Sequence, residues 1–489
     1  MILAELLNGV ETIQVTGNMR NDEVEGIEYD SRKVRKNSVF AAIKGFNVDG
    51  HKFIPDALNN DAIAIILEND DSVPVELFQR NEAAKILVKN SRSALAEMSD
   101  RFYDHPSSKL TLTGITGTNG KTSTSYFIKN ILETAGYETG LLGTISNYIG
   151  NQKIESKLTT PESNELNEML ANMVSKDCEY AVMEVSSHAL ALKRVHKLYF
   201  SSAIFTNITA EHLDFHHNFE NYLNAKKILF DNLSADTLVV YNSDDKQSDK
   251  ILENCKSKKY SYGTISPSDF LITNIKFDLD GTSFSVKNKG HNYDLETSLI
   301  GEFNAYNASA AFALSKLHGI KEEHILNGIR STQQVPGRFE VLNKGNKKVI
   351  VDYSHTPDSL EKALESIGNL KQNGSKIITV FGCGGNRDKL KRPAMGKIAS
   401  EHSDEVIITS DNPRFENSSS IIDDIKSGIS KNNFNVIENR EEAIKNAIEK
   451  SDDHAIILIA GKGHEDYQEI KGVRSHFSDR EVAENYLGI

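Results

Sequence analysis

The chain has 489 residues, a length that about three domains of average size would fill. It carries 56 Lys and Arg residues against 69 Asp and Glu residues, so its net charge is −13. A protein with this charge has no general attraction for phosphate backbones, which argues against a nucleic-acid partner. No apolar run reaches the ~20 residues of a membrane-spanning helix, which argues against membrane insertion.

Two further features concern the compartment. The first ten residues contain Glu5 and no basic segment, which argues against a secretory signal. The cysteines, Cys178, Cys255 and Cys383, are odd in number and far apart in sequence, so they suit neither a disulfide framework nor a CxxC metal site. We therefore expect a cytoplasmic protein with reduced thiols.

The first predicted domain, residues 1–107, mixes short strands with short helices. Strands are predicted at residues 27–30, 39–43 and 62–67, and residues 81–102 are predicted as a helix that leads out of the domain. A polar segment around Pro106 interrupts the pattern and separates this domain from the next.

The second predicted domain, residues 108–335, begins with an alternating, β-branched strand at 109–116, a glycine-rich turn and a helix at 122–135. Further strands are predicted at 180–184 and 203–206, then a region rich in strands and turns at 237–300, and then a helix at 304–317. The third domain, residues 336–489, alternates strands at 349–353, 377–381, 405–409 and 455–460 with helices at 357–370, 389–400, 421–430 and 440–450. Such repeated units predict a parallel sheet covered on both faces, so the fold class is α/β.

The strongest local signal is the segment Thr-Gly-Thr-Asn-Gly-Lys-Thr at residues 116–122. Its glycines let backbone N–H groups point at phosphate oxygens, Lys121 can reach the β- and γ-phosphates, and the Thr122 hydroxyl can ligate Mg²⁺. The full phosphate-loop pattern fails at one position, because Ile115 stands where its first glycine belongs. The strand before and the helix after favour nucleoside triphosphate binding over a chance glycine turn. The lack of an NKxD motif argues against GTP.

A second glycine cluster, residues 382–386, also follows a predicted strand. It resembles the dinucleotide-binding pattern GxGxxG, but Arg387 replaces the last glycine, so the match is weak. An arginine just beyond a strand end indicates recognition of an anion or a carboxylate instead.

Acidic and histidine side chains follow two strands of the second domain. Glu184 ends one apolar strand, where a carboxylate can hold Mg²⁺ or its water. Four residues beyond the next strand could be interpreted as a zinc site: His212, Asp214, His216 and His217. We favour hydrogen-bonded or substrate-contacting histidines, because the sequence has no HExxH motif.

A helical stretch at residues 222–230 carries two adjacent lysines, Lys226 and Lys227. From residue type alone they are exposed lysines of an amphipathic surface helix.

Taken together, these segments resemble the Mur ligase family, ATP-dependent enzymes that form amide bonds in peptidoglycan synthesis. The matching segments, in the order the family has them, are TGTNGKT, EVSSH, TNITAEHLDFH, YLNAKKILF, GEFNAYNASAA, PGRFE, DYSHTPDSL and TSDNPRFEN. DNPR with AGKGHEDYQ, and YDSR with DGHKFI near the N-terminus, are similar to the members that add meso-diaminopimelate. The resemblance implies a uridine-binding first domain, a central ATP-binding domain of the phosphate-loop type and a Rossmann-like C-terminal domain for the amino acid.

The resemblance also implies roles for individual residues. The catalytic residues it implies are Lys121, Glu184, His212, Lys226 and Arg338. Two Mg²⁺ ions are implied, with ligands from Thr122, Glu184, His212 and Lys226 as a carbamate. The implied ATP contacts are Gly117, Thr118, Asn119, Gly120, Lys121, Thr122, Ser123, Asn304, Asn307, Arg338, Asp352 and His355. Those for UDP-MurNAc-L-Ala-D-Glu are Ser31, His51, Thr159, Thr160, Ser186 and Arg194, and those for diaminopimelate are Arg387, Asp411, Asn412, Arg414, Gly461 and Glu465.

The acceptor assignment also makes physical sense without the resemblance. Diaminopimelate has an amino-acid head at each end, so the end that does not react needs a cation for its carboxylate and an anion for its ammonium group. Arg414 supplies a planar, bidentate donor and Glu465 supplies the counter-charge. The family usually has a proline after DNPR-x-E-[DE], whereas here Asn417 and Ser418 follow Glu416. Either could cap the next helix, and lanthionine stays open as an acceptor.

The expected reaction has two steps. ATP phosphorylates the D-glutamate γ-carboxylate, and the amine of diaminopimelate then displaces phosphate as the third domain closes. The alternatives are L-lysine or lanthionine as acceptor, a folylpolyglutamate synthetase type of ligase, a phosphate-loop NTPase switch protein, and a metallohydrolase at the His212 cluster. The resemblance favours a monomer whose partners are its small-molecule substrates.

Overall fold

The computed structural model of the chain describes residues 1–45, 48–371 and 374–489. Within them the strands form a first sheet of five strands, a central sheet of eleven, a third sheet of six and one two-stranded hairpin. The first sheet lies within residues 12–88, the central sheet within 111–297 and the third within 340–460. The α/β class is confirmed.

The first sheet is flanked by helices on both faces. Its strands are β1 (Thr12–Gly17), β2 (Gly26–Glu28), β3 (Ser38–Ala41), β4 (Ala64–Leu67) and β5 (Ala84–Val88), in the order β1-β5-β4-β3-β2. Its helices are α1 (Leu3–Leu6), α2 (Ile54–Asn59), α3 (Val75–Arg80) and α4 (Ser91–Phe102), with 3-10 turns at Ser31–Lys33, Gly50–Phe53, Asp70–Ser72 and Pro106–Lys109. Only β1 runs antiparallel to its neighbour. Alternate strand residues pack against α1 and α4 on one face and against α2 and α3 on the other.

The central sheet has a parallel middle and antiparallel edges. Its strands are β6 (Thr111–Thr116), β7 (Thr139–Leu142), β8 (Ser146–Ile149), β9 (Gln152–Glu155), β10 (Tyr180–Glu184), β11 (Ser202–Phe205), β12 (Leu238–Asn242), β13 (Lys258–Gly263), β14 (Phe270–Asp278), β15 (Gly281–Asn288) and β16 (His291–Thr297). The order is β16-β15-β14-β13-β12-β11-β6-β10-β7-β8-β9. β6 lies between β11 and β10 and is parallel to both, so the loops after these three strands emerge side by side. Ligands of such sheets bind at this carboxyl edge.

Helices cover both faces of the central sheet. They are α5 (Lys121–Thr134), α6 (Ser163–Ser175), α7 (Ser187–Ala191), α8 (Leu213–His216), α9 (Phe219–Asp231), α10 (Ser248–Ile251), α11 (Glu302–Leu317) and α12 (Glu322–Ser331). One core contains Phe127 of α5 and Phe312 of α11, and the other contains Leu170 of α6 and Phe230 of α9.

The third sheet follows the same plan. Its strands are β17 (Glu340–Lys344), β18 (Lys347–Asp352), β19 (Ile377–Phe381), β20 (Glu405–Ile408), β21 (Phe434–Val436) and β22 (Ile456–Ala460), in the order β17-β18-β22-β19-β20-β21. β17 is antiparallel and the rest are parallel. Around it lie α13 (Pro357–Leu370), α14 (Lys391–His402), α15 (Ser418–Lys426), α16 (Arg440–Lys450) and α17 (Asp479–Leu487), and the hairpin is β23 (Tyr467–Ile470) with β24 (Val473–His476).

One predicted element is wrong. The segment 81–102 is not a single helix, because it contains the strand β5 before α4 begins at Ser91. β5 lies between β1 and β4 and has four of its five residues buried, including Ala84 and Ile86. A short apolar run that is buried on both faces carries no periodicity to distinguish a strand from a helix.

Candidate active site

The phosphate loop, residues 117–120, connects β6 to α5. Gly117 and Gly120 have φ angles of 153° and 86°, a region that residues with a side chain rarely adopt. A Cβ atom at Gly117 would collide with Thr206 Oγ1, and one at Gly120 with Asn307 Oδ1. Gly120 leaves the N-terminus of α5 without a side-chain cap, so the first N–H groups of the helix are available to an anion.

Two lysine ammonium groups converge on this loop. Lys121 Nζ donates to the carbonyls of Gly117 and Thr118 at 3.0 and 2.8 Å, and Lys226 Nζ donates to the Gly117 carbonyl at 2.7 Å. Lys226 and Lys227 on α9 are 2 % and 8 % exposed, so the interpretation of both as exposed surface lysines is wrong. Burial lowers the pKa of both amines, that of Lys226 well below its usual range. Within the described residues neither lysine has an ion pair, and the carboxylates that act on their charge at longer range are Glu184 and Glu211.

A buried carboxylate lies beside the loop. Glu184, at the end of β10, is fully buried and accepts hydrogen bonds from the hydroxyls of Thr122 and Thr144 at 3.1 and 3.0 Å. It also accepts the Thr144 N–H at 2.9 Å. Arg338 Nη2 donates to the Thr122 hydroxyl at 3.2 Å, and Arg338 Nε is buried without a hydrogen-bond partner. Oxygen ligands and a free cationic donor therefore meet where the γ-phosphate of a nucleotide in the loop would lie.

Histidines lie near the end of β11. His212 has a left-handed φ of 56°, and its ring contacts that of His188 at a centroid distance of 4.8 Å. Burial, partly offset by Glu211, lowers the pKa of His212 to about 4, so the ring is neutral near pH 7. A neutral imidazole is the form that ligates metals. His216 bonds Ser187 Oγ at 3.0 Å.

A cavity of about 590 Å³ borders the phosphate loop, Arg338 and His212, whereas Glu184 and Lys226 are not among the residues that line it. The predicted ATP-site residues that line it are Thr118, Asn119, Gly120, Lys121, Thr122, Ser123, Asn307, Arg338, Asp352 and His355. Thr159, Ser186 and His212 line it too, and Tyr262, Phe303 and Tyr306 supply flat aromatic surface. The structure does not place Asn304 on this wall, since that side chain is buried and donates to the Ile300 carbonyl at 2.9 Å.

Residues of the central and third segments make polar contacts with each other at the border of the cavity. Asn119 Nδ2 donates to Asp358 Oδ2 at 2.9 Å, and His355 Nε2 lies 3.1 Å from Glu211 Oε1. With the contact between Arg338 and Thr122, three polar bridges cross this boundary. Burial raises the pKa of the Asp352 carboxyl, which accepts the N–H groups of Phe339 and Ser354 and so holds the Arg338 segment.

The residues predicted for the nucleotide-linked peptide fall into two groups. Thr160 Oγ1 donates to the Glu184 carbonyl at 2.8 Å and accepts the Ser186 N–H at 3.1 Å. Arg194 donates to the Thr160 carbonyl at 3.0 Å and to Glu162 at 2.9 Å. Thr159, Thr160, Ser186 and Arg194 therefore lie together beside the phosphate loop.

The other two, Ser31 and His51, lie on the first sheet's loops and do not line the cavity. His51 Nδ1 is 2.7 Å from Asp49 Oδ1, and its Nε2 accepts the Glu68 N–H at 3.1 Å. The described contacts of His51 are thus structural. Ser31 is mostly buried at the start of a 3-10 turn.

The predicted acceptor residues cluster at the carboxyl edge of the third sheet. Asn412 Nδ2 donates to Glu465 Oε2 at 2.8 Å, and Asp411 is largely buried beside Gly461. Gly461 has a φ of 116°, and a Cβ atom there would lie 2.9 Å from Asp411 Oδ2. Burial, and then the Asp411 charge, raise the pKa of Glu465.

Arg414 and Arg387 border this cluster. Arg414 has a left-handed φ of 51°, and its Nη1 donates to the Gly385 carbonyl at 2.8 Å. Arg387 is exposed, and its charge contributes to lowering the pKa of His188 across the boundary.

The loop after the DNPR segment begins a helix without the family's proline. The Asn417 side chain accepts the Ser419 N–H at 3.0 Å and caps α15, which confirms that a side-chain cap replaces the proline. Glu416 accepts both terminal nitrogens of the fully buried Arg392 at 3.1 Å and the Asn386 N–H at 2.5 Å. Glu416 therefore ties the second glycine loop to α14 and α15.

One aromatic side chain connects the acceptor cluster to the cavity. Tyr353 lines the cavity. Its ring centroid lies 5.1 Å from that of His464, and Arg338 Cζ lies over the ring, 4.8 Å from its centroid. The Glu465 and Arg338 charges both act on Tyr353, burial being the main cause that raises its pKa. The two sites are therefore neighbours.

Sequence reasoning missed several groups that the fold brings to these sites. They are Glu211, Tyr222, Asp358 and Lys462. Glu211 is adjacent to His212 in the quoted TAEH segment, and Asp358 lies in the first turn of a helix with a Thr356 cap, so both had a local signal. Tyr222 and Lys462 had none, because their roles depend on burial.

No helix in the described part of the chain is both long and apolar enough to cross a membrane. No three or more His, Cys, Asp or Glu side chains in residues 1–45, 48–371 and 374–489 are grouped to hold a metal ion.

Comparisons with known proteins cover the whole chain. Three family models match: "Mur ligase family, catalytic domain" over residues 23–103, "Mur ligase middle domain" over 115–315, and "Mur ligase, glutamate ligase domain" over 337–463. A UDP-N-acetylmuramoyl-L-alanyl-D-glutamate–2,6-diaminopimelate ligase of Clostridium botulinum is 44% identical over 468 residues, 95% of each chain. Its namesake in Clostridium tetani is 43% identical over 100% of this chain and 99% of its own.

Solved structures agree in fold. One of a UDP-N-acetylmuramoyl-L-alanyl-D-glutamate–2,6-diaminopimelate ligase matches with a TM-score of 0.69 at 30% identity, covering 97% of both chains. The MurF ligase of Thermotoga maritima in complex with ADP matches with a TM-score of 0.65 at 19% identity, covering 95% of this chain and 98% of its own. The latter likeness concerns the fold alone.

Proposed function

We propose, since this chain belongs to the Mur ligase family, that it adds meso-2,6-diaminopimelate to the D-glutamate γ-carboxylate of UDP-MurNAc-L-Ala-D-Glu, with cleavage of ATP to ADP and phosphate. The full-length relatives named for this reaction support the substrates. The activity is that of an ATP-dependent ligase in peptidoglycan precursor synthesis.

One observation carries the proposal. The phosphate loop lines a cavity of about 590 Å³, and Tyr353, which lines the same cavity, contacts His464, the neighbour of Glu465 in the charge-balanced acceptor cluster. A ligase needs this proximity, because its activated carboxylate must reach the amine before water does. A switch NTPase has no use for a zwitterion site beside its γ-phosphate, and neither does a metallohydrolase.

The first step activates the peptide carboxylate. The γ-carboxylate oxygen attacks the γ-phosphorus of ATP, the bond from phosphorus to the bridging oxygen breaks, and ADP leaves. In this step Lys121 and Arg338 hold the γ-phosphate oxygens and stabilise the charge that spreads over them. Thr160, Ser186 and Arg194 position the peptide beside the loop. This leaves a mixed anhydride of the carboxylate and phosphate, an acyl phosphate.

Magnesium ions fit this site on the chemistry of its donors. Thr122 and Glu184 would hold one ion, since a buried carboxylate and a hydroxyl are oxygen ligands of the kind Mg²⁺ prefers. His212 and a carbamate on Lys226 would hold the second. Such ions neutralise charge on the transferring phosphoryl group. The buried position of Lys226, whose ammonium group contacts the Gly117 carbonyl and has no ion pair within the part of the chain that the structure describes, supports a modified amine there.

The second step forms the amide. The free amine of diaminopimelate attacks the acyl carbon, a tetrahedral intermediate forms, and its collapse expels phosphate while the attacking nitrogen loses a proton. Arg414 and Arg387 bind the carboxylate of the distal head, and Glu465 with Asp411 and Asn412 binds its ammonium group. The three polar bridges between the central and third segments keep water out during this step.

The proposed division of labour follows the three segments. Residues 1–107 bind the uridine nucleotide, 108–335 bind ATP and 336–489 bind the amino acid. We place the reaction in the cytoplasm, where ATP is available and where the three buried cysteines stay as free thiols. The monomeric state stays a prediction that sedimentation would test.

The deciding experiment measures phosphate release from ATP and UDP-MurNAc-L-Ala-D-Glu with meso-diaminopimelate, L-lanthionine, L-lysine or no amino acid. We expect strong stimulation by diaminopimelate and little by L-lysine, which has no second carboxylate for Arg414. Stimulation by lanthionine alone would show that lanthionine is the acceptor in place of diaminopimelate. No stimulation by any amino acid would refute the proposed function. Folylpolyglutamate synthesis would need a folate in place of the nucleotide peptide.

A further inference from the structure

A buried lysine that none of the predicted roles uses lies in the loop after β22. The Lys462 side chain is fully buried, and its ammonium group is 3.3 Å from Glu465 Oε2. It also donates to the Tyr467 carbonyl at 2.5 Å and to Asn412 Oδ1 at 3.3 Å. All three of its N–H groups are thereby used, so Lys462 has no donor left for a ligand.

These bonds form a closed arrangement around one carboxylate oxygen. Glu465 Oε2 accepts both Lys462 and Asn412, while Asn412 Oδ1 accepts Lys462 and the Glu469 N–H. Within the described residues, Glu465 Oε1 has no hydrogen bond, so one oxygen is fixed and the other is free.

The charges around Glu465 come from several elements. Burial and the Asp411 carboxylate favour the protonated form, and Lys462 opposes both. Arg440 on α16 is also within range, but its charge is matched by the buried Asp479 at 2.7 Å. The hydroxyls of Tyr353 and Tyr467 lie nearby and are neutral near pH 7. Lys462 is therefore the cation that holds the Glu465 charge.

We propose that Lys462 is a positioning residue for the acceptor: it holds Glu465 ionised, with Oε1 free to bind the ammonium of the amino acid's distal head. This inference rests on the proposed function, since it describes how one acceptor-site residue is prepared. Lys462 itself touches no substrate. If Glu465 were neutral, it would have no charge to attract the distal ammonium group. The ion pair between Lys462 and Glu465 therefore matters most for an acceptor that has a second amino group.

The test is Lys462→Met, assayed for phosphate release as a function of diaminopimelate concentration and pH. We expect KM for diaminopimelate at pH 7 to rise at least about tenfold, with KM for ATP within twofold of wild type. The acid limb of kcat/KM for the acceptor moves to higher pH by about one unit or more, because removing the nearby cation raises the Glu465 pKa. Lys397→Met, at an exposed lysine of α14, is the matched control and changes neither quantity.

Loss of a merely structural lysine would lower kcat, or raise KM for every substrate, without moving the pH profile, and that result would overturn the proposal. If Lys462→Met does not fold, the double variant Lys462→Met/Glu465→Gln removes both charges and leaves no unpaired carboxylate. It is compared with Glu465→Gln. We expect the same KM for diaminopimelate in both, and a further rise above tenfold in the double variant would contradict action through Glu465.

The assay of the wild-type protein distinguishes a failure of this inference from a failure of the proposed function. Wild-type protein without amino-acid-dependent phosphate release refutes the proposed function itself. Normal wild-type activity with a Lys462→Met variant that matches it in KM and pH profile refutes only the role of Lys462.

Discussion

The two glycine loops of the molecule follow buried parallel strands, yet they differ in how their cations are balanced. At the phosphate loop Lys121 and Lys226 donate to backbone carbonyls, and within the described residues neither faces a carboxylate in an ion pair. Around the second loop, residues 382–386, the buried cations are paired: Arg392 with Glu416 and Asp424, Arg440 with Asp479, and Lys462 with Glu465.

This difference indicates which kind of ligand each site binds. Buried lysines without an ion-pair partner become more favourable when an anion binds beside them, so the first loop suits the phosphates of ATP. Around the second loop the buried cations are already neutralised by carboxylates. Such a site suits a ligand with equal charges of both signs, such as the amino-acid head of diaminopimelate. Two loops that look similar in sequence are thereby distinguished by the partners of their lysines and arginines.

The largest effect is expected at Lys226. Lys226→Ala lowers kcat by about 10²–10³-fold, because a group that stabilises the transferring phosphoryl charge is lost. Loss of the buried side chain's packing against Tyr222 also lowers the free energy of unfolding, but no buried carboxylate loses an ion pair. Steady-state kinetics and urea unfolding measure the two quantities.

The control is the neighbouring Lys227→Ala, which removes an ion pair with Asp231 at 2.9 Å. It keeps near-wild-type kcat. Bicarbonate or short carboxylates added to Lys226→Ala restore part of its activity if the lysine acts as a carbamate. Full activity of Lys226→Ala without any additive would rule out the role.

On the balanced side, Arg440→Met lowers the free energy of unfolding by about 3–5 kcal/mol, because the fully buried Asp479 is left uncompensated. Replacing both residues, Arg440→Met with Asp479→Leu, recovers most of this loss. Arg330→Met, which breaks an exposed pair with Glu296, costs at most about 1 kcal/mol. Urea unfolding compares the three, and equal losses for both single variants would show that burial of the Arg440 pair adds nothing to its effect on stability.

Arg414→Ala tests the acceptor side directly. We expect KM for diaminopimelate to rise about 30- to 100-fold through loss of a bidentate carboxylate contact, with KM for ATP unaltered. The exposed Arg474→Ala serves as control. An unchanged KM for diaminopimelate would show that the arginine supports the loop through the Gly385 carbonyl and nothing more.

Glu416→Gln tests the ion pair between Glu416 and Arg392 through the pH dependence of stability. Hydrogen bonds from Arg392 lower the pKa of Glu416 from 4.5 to about 2 in the folded protein. Its ionised form therefore stabilises the fold above pH 4.5, and this contribution is lost as the pH falls toward 2. We expect the variant to be less stable by about 2 kcal/mol at pH 7 and equal to wild type near pH 2. A difference that stays constant between pH 7 and 3 would contradict the assignment.

The smallest effect concerns helix starts. α5 begins at Gly120 without a side-chain cap, whereas α15 begins with the Asn417 cap. Asn417→Ala costs about 1 kcal/mol of stability and Asn417→Ser much less. Thermal unfolding measures both, and identical melting temperatures for Ala and Ser would show that the cap contributes nothing.

Elements were predictable from the sequence where the residues of one short segment alone determine its local structure. The strand β10, the strand β19 and the helices α13 and α16 have the predicted bounds, since alternation, apolar runs and Pro357 fix them locally. The phosphate loop was predictable for the same reason. Its glycines have φ angles that other residues avoid.

Contacts between distant segments could not be predicted in this way. Asn119 and Asp358 are 239 residues apart, and Glu211 and His355 are 144 apart. Lys226 and Lys227 look alike in sequence, and only packing of α9 aims one at the phosphate loop and the other at Asp231. Position in the fold, which no local pattern encodes, decides these roles.

The central claim is that ATP phosphorylates the peptide carboxylate before the amine attacks. The most direct test supplies UDP-MurNAc-L-Ala-D-Glu with ¹⁸O in its γ-carboxylate, together with ATP and diaminopimelate, and analyses the released phosphate by mass spectrometry. An acyl phosphate transfers one carboxylate oxygen to phosphorus, so each phosphate released carries one ¹⁸O atom. Phosphate without label, formed alongside the amide product, would contradict the account.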